Sequence, residues 1–107
     1  MIAPPAAAKV FLVLGATDMR KAINGLSVMV ADVLKLDPLG GAYFVFCNRS
    51  RSIIKALYWD RNGFCLWQKR LERERFRWPE SRSEVLDISG RELGWLLEGL
   101  DLQQVRG

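Results

Sequence analysis

Lys69, Arg70, Arg73, Arg75 and Arg77 fall within nine positions of one another, and Arg49, Arg51 and Lys55 stand a little upstream. Guanidinium and ammonium groups at this density suit the phosphates of a nucleic-acid backbone, where cationic contacts fix position without reading sequence. Aromatic residues interleave with them in the string YWDRNGFCLWQKRLERERFRWP at 58–79. Bases stack on exposed aromatics for roughly 1–3 kcal/mol each, so the string has the ingredients of a single-strand platform as well. Glu72 and Glu74 lie inside the same run and can pair locally with their neighbours. A solvated charged strand edge that discourages aggregation is therefore the competing reading.

Other chemistry finds little support. Histidine is absent, which removes the commonest general base and the commonest metal ligand together. A carboxylate-only metal nuclease would have to draw on residues such as Asp18, Asp32, Asp37 and Asp60. Asp18 reads better as a helix-start residue and Asp60 as a turn residue, so no metal site and no catalytic residue is assigned. Cys47 and Cys65, the two cysteines, lack metal-ligand spacing and have no histidine to activate them, and core packing is expected of both. Gly15, Gly25 and the pair Gly40-Gly41 do not form a phosphate loop. No cofactor is expected.

The chain of 107 residues suits one domain, and half of it is hydrophobic with a quarter charged, as in a packed globular protein. The net charge of +4 is unevenly spread. Residues 49–82 hold ten basic and four acidic side chains, whereas residues 83–107 hold two and five. An acidic partner would be drawn to the middle of the chain and repelled by its end. Residues 1–8, MIAPPAAA, read as a flexible lead-in, and 9–107 as the single domain. The apolar run KVFLVLGA is too short to span a membrane, and a cytoplasmic protein with reduced thiols is expected.

The elements that must carry these residues follow from periodicity. Lys9–Leu14 reads as a buried strand ended by Gly15. Thr17 or Asp18 can cap a helix whose stripe runs through Met19, Ala22, Ile23, Leu26, Met29, Val30 and Val33. Pro38 and Gly40-Gly41 end it. The period then changes to two in AYFVFC, IIKALYW and FCLWQKR, with a tight turn at Asn62-Gly63. RFRWP at 75–79 reads as a further short strand, with Phe76 and Trp78 on one face and Arg75 and Arg77 on the other. Ser89 and Glu92 have the spacing of a capping box, and Ile88 and Leu93 that of a hydrophobic staple. A short C-terminal helix starts at about Gly90, buries Leu93, Leu96, Leu97 and Leu100, and ends near Gly99. The expected architecture is α+β: an antiparallel β-meander of three to five strands with one long helix on one face. Trp59 and Trp67 are expected in the core, with Trp78 undecided between core and surface and Trp95 available to a partner.

TDMRKAINGL at 17–26, residues 43–79 and ELGWLLEGLDL at 92–102 closely resemble the small accessory protein encoded by the second open reading frame of the bacterial insertion-sequence family numbered sixty-six. That product is often called TnpB and is unrelated to the RNA-guided nuclease sharing the label. The resemblance covers about residues 9–102. It implies a non-catalytic part in transposition, beside a separate, larger transposase that carries the catalytic carboxylates. On this reading Arg49, Arg51, Lys55, Lys69, Arg70, Arg73, Arg75 and Arg77 are the candidates for DNA contact, and Arg20, Lys21, Trp78 and Trp95 those for contact with the transposase. The alternative is a protein–protein adaptor for the transposase complex that never touches DNA.

Overall fold

The computed structural model describes residues 4–106. Five strands form one sheet in the order β4-β3-β2-β1-β5. They are β1 (Lys9–Ala16), β2 (Tyr43–Cys47), β3 (Ile53–Asp60), β4 (Gly63–Arg70) and β5 (Val85–Ser89). The run β2-β3-β4 is the antiparallel meander that the period of two predicts. The rest of the sheet departs from it. β1 pairs β2 in parallel, Val10 beside Tyr43 and Leu12 beside Val45, and β5 pairs β1 antiparallel from Lys9–Ser89 to Val13–Val85. Parallel neighbours need a crossover, and the helix between β1 and β2 supplies it.

That helix, α1, is shorter than its apolar stripe suggests. It begins at Ile23 and continues from Met29 to Val33 as a wider π-helical turn, 11 residues in all. Asp18 does not cap it. Its carboxylate accepts from the backbone N–H of Arg20 at 2.9 Å and winds residues 18–21 into a separate turn, as short acidic side chains favour. The π turn is closed by Leu34 N–H donating to Met29 C=O, and it shifts the helical phase by one residue. Val33, expected on the buried stripe, is 59% exposed, and Leu34 packs inward in its place.

Strand alternation sends Val13, Phe44, Phe46 and Leu57 toward α1, where they meet Leu26 and Val30. Val10, Leu12, Val45, Ile54 and Ala56 face the opposite layer, built by α2 (Gly90–Leu97), α3 (Leu102–Arg106) and an extended strap at residues 71–84. RFRWP belongs to this strap and is not a strand. Its alternation survives, with Phe76 and Trp78 buried and Arg75 and Arg77 exposed, but it crosses the sheet face instead of lengthening the meander. The indole N–H of Trp78 donates to the carbonyl of Val13 at 3.1 Å.

The capping box forms as spaced: Glu92 N–H donates to Ser89 Oγ at 3.2 Å and Ser89 N–H to Glu92 Oε1 at 3.1 Å. Gly99, at φ +97°, closes the end of α2. Leu93 and Leu96 are buried, but Leu100 is 43% exposed, because the chain has already turned toward α3. The other free amides at the start of α2 are used by the N-terminal segment: Gly90 N–H donates to Ala8 C=O and Arg91 N–H to Ala6 C=O. Residues 4–8 of the expected lead-in thus lie against α2, and residues 1–3 are outside the described residues.

Candidate nucleic-acid interface

β1 and β2, being parallel, finish at the same end of the sheet, where β3 starts and β4 stops. Three irregular segments therefore meet there: the turn at 17–22, the β2–β3 loop at 48–52, and the strap after Arg70. Backbone bonds join them. Thr17 N–H donates to Cys47 C=O at 2.8 Å, Leu71 N–H to Ser52 C=O at 2.8 Å, and Phe76 N–H to Arg51 C=O at 2.8 Å.

The loop is wired through Asn48. Its Oδ1 accepts from the N–H groups of Ser52 and Ile53, while its Nδ2 donates to the hydroxyls of Ser50 and Ser52. Arg49 stands exposed on this loop. Arg75 reaches it from the strap, Nη1 donating to Ser50 C=O at 3.3 Å. Arg73 and Arg77 are also exposed on the strap, Arg70 is exposed at the end of β4, and Lys69 is half-buried. Arg70 pairs with Glu72 at 3.1 Å and Arg20 with Asp18 at 2.7 Å, two surface pairs that moderate the positive field. The Arg20 guanidinium, and then its backbone N–H, hold the Asp18 carboxyl down from the ordinary 3.8 to about 2.

Two of the cations are turned inward. Lys55 is 8% exposed, and its ammonium donates to Met19 C=O at 2.8 Å and Lys21 C=O at 2.9 Å, so it anchors the 17–22 turn from beneath. Arg51, at φ +62°, bends its guanidinium toward the Cys47 thiol. Burial pushes that thiol up, with the nearby guanidinium opposing the shift. Of the partner-contact candidates, Arg20 and Lys21 are exposed, Trp95 is half-buried against the core, and Trp78 is spent on it.

The aromatics do not line up as a stacking platform at this end. Trp59 and Phe64 meet edge to face at 5.1 Å near the β3–β4 hairpin, at the far end of the sheet, and Trp67 packs on the core. The hairpin turns at Arg61-Asn62, one residue earlier than Asn62-Gly63, with Arg61 at φ +55°. Asp60 is there too, roughly 20 Å of extended strand away from the end that holds Asp18. Among the described residues no three His, Cys, Asp or Glu side chains gather as metal ligands. Among them, too, no helix is long and apolar enough to cross a membrane. Asn48, Ser50 and Ser52 carry no charge and so escape a search for cations; the every-second-residue spacing of an amide and two hydroxyls in NRSRS is the signal that points to them.

The family model described as IS66 Orf2 like protein matches residues 8–107. A Sinorhizobium fredii (strain NBRC 101917 / NGR234) protein named Uncharacterized protein y4hO is 44% identical over 93 residues, covering 87% of this chain and 81% of the relative. A second from the same strain, Uncharacterized protein y4jC, is 32% identical over 106 residues, 99% of this chain and 91% of the relative. No solved structure gives a significant match.

Proposed function

The chain belongs to the IS66 Orf2-like protein family, and from that premise we propose that it is a non-enzymatic accessory factor of transposition that binds the DNA of its element and helps seat the separate transposase. The observation that supports DNA contact best is the convergence of Arg20, Lys21, Arg49, Arg70, Arg73 and Arg75 on one end of the sheet, from three segments tied together by backbone bonds. Cations presented on a braced surface lose less freedom on binding than cations on a mobile tail. With no shared base-stacking face beside them, they suit duplex phosphates and a contact that positions more than it specifies. Arg77 extends the set along the strap, while Lys55 and Arg51 act from below as supports.

A protein-adaptor role has its own supporting observation. Val28 and Val33 on α1 are 55% and 59% exposed, and Val33 lines a hollow with Val13, Met29 and Leu34 on its apolar side and Ser81, Ser83 and Glu84 on its polar one. That surface carries none of the basic residues of the cationic end, so a transposase contact there would not draw on the cations assigned to DNA.

Binding to an element-end duplex and to a random one is measured across salt. With about six phosphates engaged, affinity falls on the order of a thousandfold between 50 and 200 mM salt. Changing Arg49, Arg70, Arg73 and Arg75 together to Ala flattens that slope. A salt-insensitive complex, or one undiminished by the four substitutions, leaves the adaptor reading, which pull-down with purified transposase in nuclease-treated solution then tests.

A further inference from the structure

Which backbone groups of β4 are in use follows from the ladder. Asn48 N–H donates to Ile53 C=O, so in β3 the odd-numbered residues Ile53, Lys55 and Leu57 spend their backbone groups on β2. Ile54, Ala56, Tyr58 and Asp60 then face β4 and bond with Lys69, Trp67, Cys65 and Gly63. The N–H and C=O of Phe64, Leu66 and Gln68 point out of the sheet, and among the described residues no loop or strap bonds to them. The edge is eight residues long, has no proline or register break, and its centre, Phe64 to Trp67, is half-exposed and apolar. Natural edges of this kind are normally blunted. The opposite edge is: β5 has five residues and carries the exposed Asp87, paired with Lys9 at 3.6 Å.

We propose that β4 is a dimerisation strand, on which a second copy of this chain adds its own β4 antiparallel to make one continuous sheet. The occupant is argued from self-complementarity. β4 is apolar in its first part and cationic at its end, Lys69-Arg70. An antiparallel copy overlaps the apolar parts and carries the two cationic ends apart, where a parallel copy would stack Lys69 and Arg70 on themselves. A single open edge also closes the assembly at two copies about a two-fold axis, whereas two open edges would polymerise.

The test uses the purified chain under reducing conditions, without DNA, so that its outcome is independent of nucleic-acid binding. Light scattering reads twice the 12.2 kDa of one chain. Amide exchange at Phe64, Leu66 and Gln68 slows as concentration rises, while Cys65, Trp67 and Lys69, already bonded to β3, stay protected throughout. Gln68→Pro removes only an outward N–H, so the variant keeps its circular dichroism and returns to single-chain mass. If Gln68→Pro fails to fold, the alternating exchange pattern alone decides. A single-chain mass up to millimolar concentration, or a dimer whose Phe64, Leu66 and Gln68 amides stay unprotected, overturns the proposal. So does a β4 edge that pairs only when an extended segment of another protein is supplied.

Discussion

The ammonium of Lys55 and the carbonyl of Met19, 36 residues apart in the chain, meet at 2.8 Å under the turn that presents Arg20 and Lys21. A cation that looks like a phosphate ligand in the sequence is thus a brace for other cations. Lys55→Met keeps the aliphatic stem but leaves the carbonyls of Met19 and Lys21 without their donor. Stability should fall by about 1–3 kcal/mol in urea unfolding. DNA affinity should fall with it through displacement of the turn. A variant as stable as the parent would show that the two carbonyls find other donors.

Trp78→Phe should cost about 1–3 kcal/mol, because the Val13 carbonyl loses the indole N–H in a buried site. Chemical denaturation checks the magnitude. The loss should appear at any salt concentration, which separates it from the effect of the neighbouring exposed arginines.

Two glycines of α2 should respond to alanine with opposite signs. A Cβ at Gly90 runs into the carbonyl of Pro5, whereas one at Gly94 meets nothing within 4 Å. Gly94→Ala should stabilise by about 0.5–1 kcal/mol through helix propensity. Gly90→Ala should destabilise by about 1–3 kcal/mol and free residues 4–8 for proteolysis. Thermal unfolding and mass spectrometry of the cleavage products read both effects.

The Asp18–Arg20 link sets a narrow acid response. Because the folded carboxyl is depressed, its contribution is complete above the ordinary value of 3.8 and is lost as pH falls through about 2. A carboxyl-carbon NMR titration should give a midpoint near 2 for Asp18, moving up toward 3.8 in Arg20→Gln. A midpoint already near 3.8 in the parent would mean that the pair is not formed in solution.

The local chemistry of the chain was the legible part. The capping box at Ser89 and Glu92 is decided within four residues, the three meander strands by their period, and the inward and outward alternation of Phe76, Arg77 and Trp78 by the same rule even though RFRWP joins no strand. What the pattern could not carry was long-range. The parallel pairing of β1 with β2 and the arrival of β5 on β1 depend on partners far along the chain. The strand–helix–strand order of residues 9–47 pointed to a crossover that the meander reading passed over. At the cationic end, composition found the arginines that are exposed, but it had no means of seeing that Lys55 points inward or that Arg51 folds over Cys47. Charge reports residue type, and only packing reports direction.

β1 lies between β2 and β5, and its outer partner is the last strand of the sheet, Lys9 opposite Ser89. During synthesis the ribosome adds roughly 5–20 residues per second, so β1 exists for several seconds with one edge bare before β5 has been made. The backbone pairing of the other four strands needs nothing beyond Arg70, while the strap, α2 and α3 that cover one of their faces are made later. A nascent chain halted before residue 85 should therefore pair four strands with β1 as a bare edge, and the strand still to arrive is a five-residue one that also delivers the cap of α2.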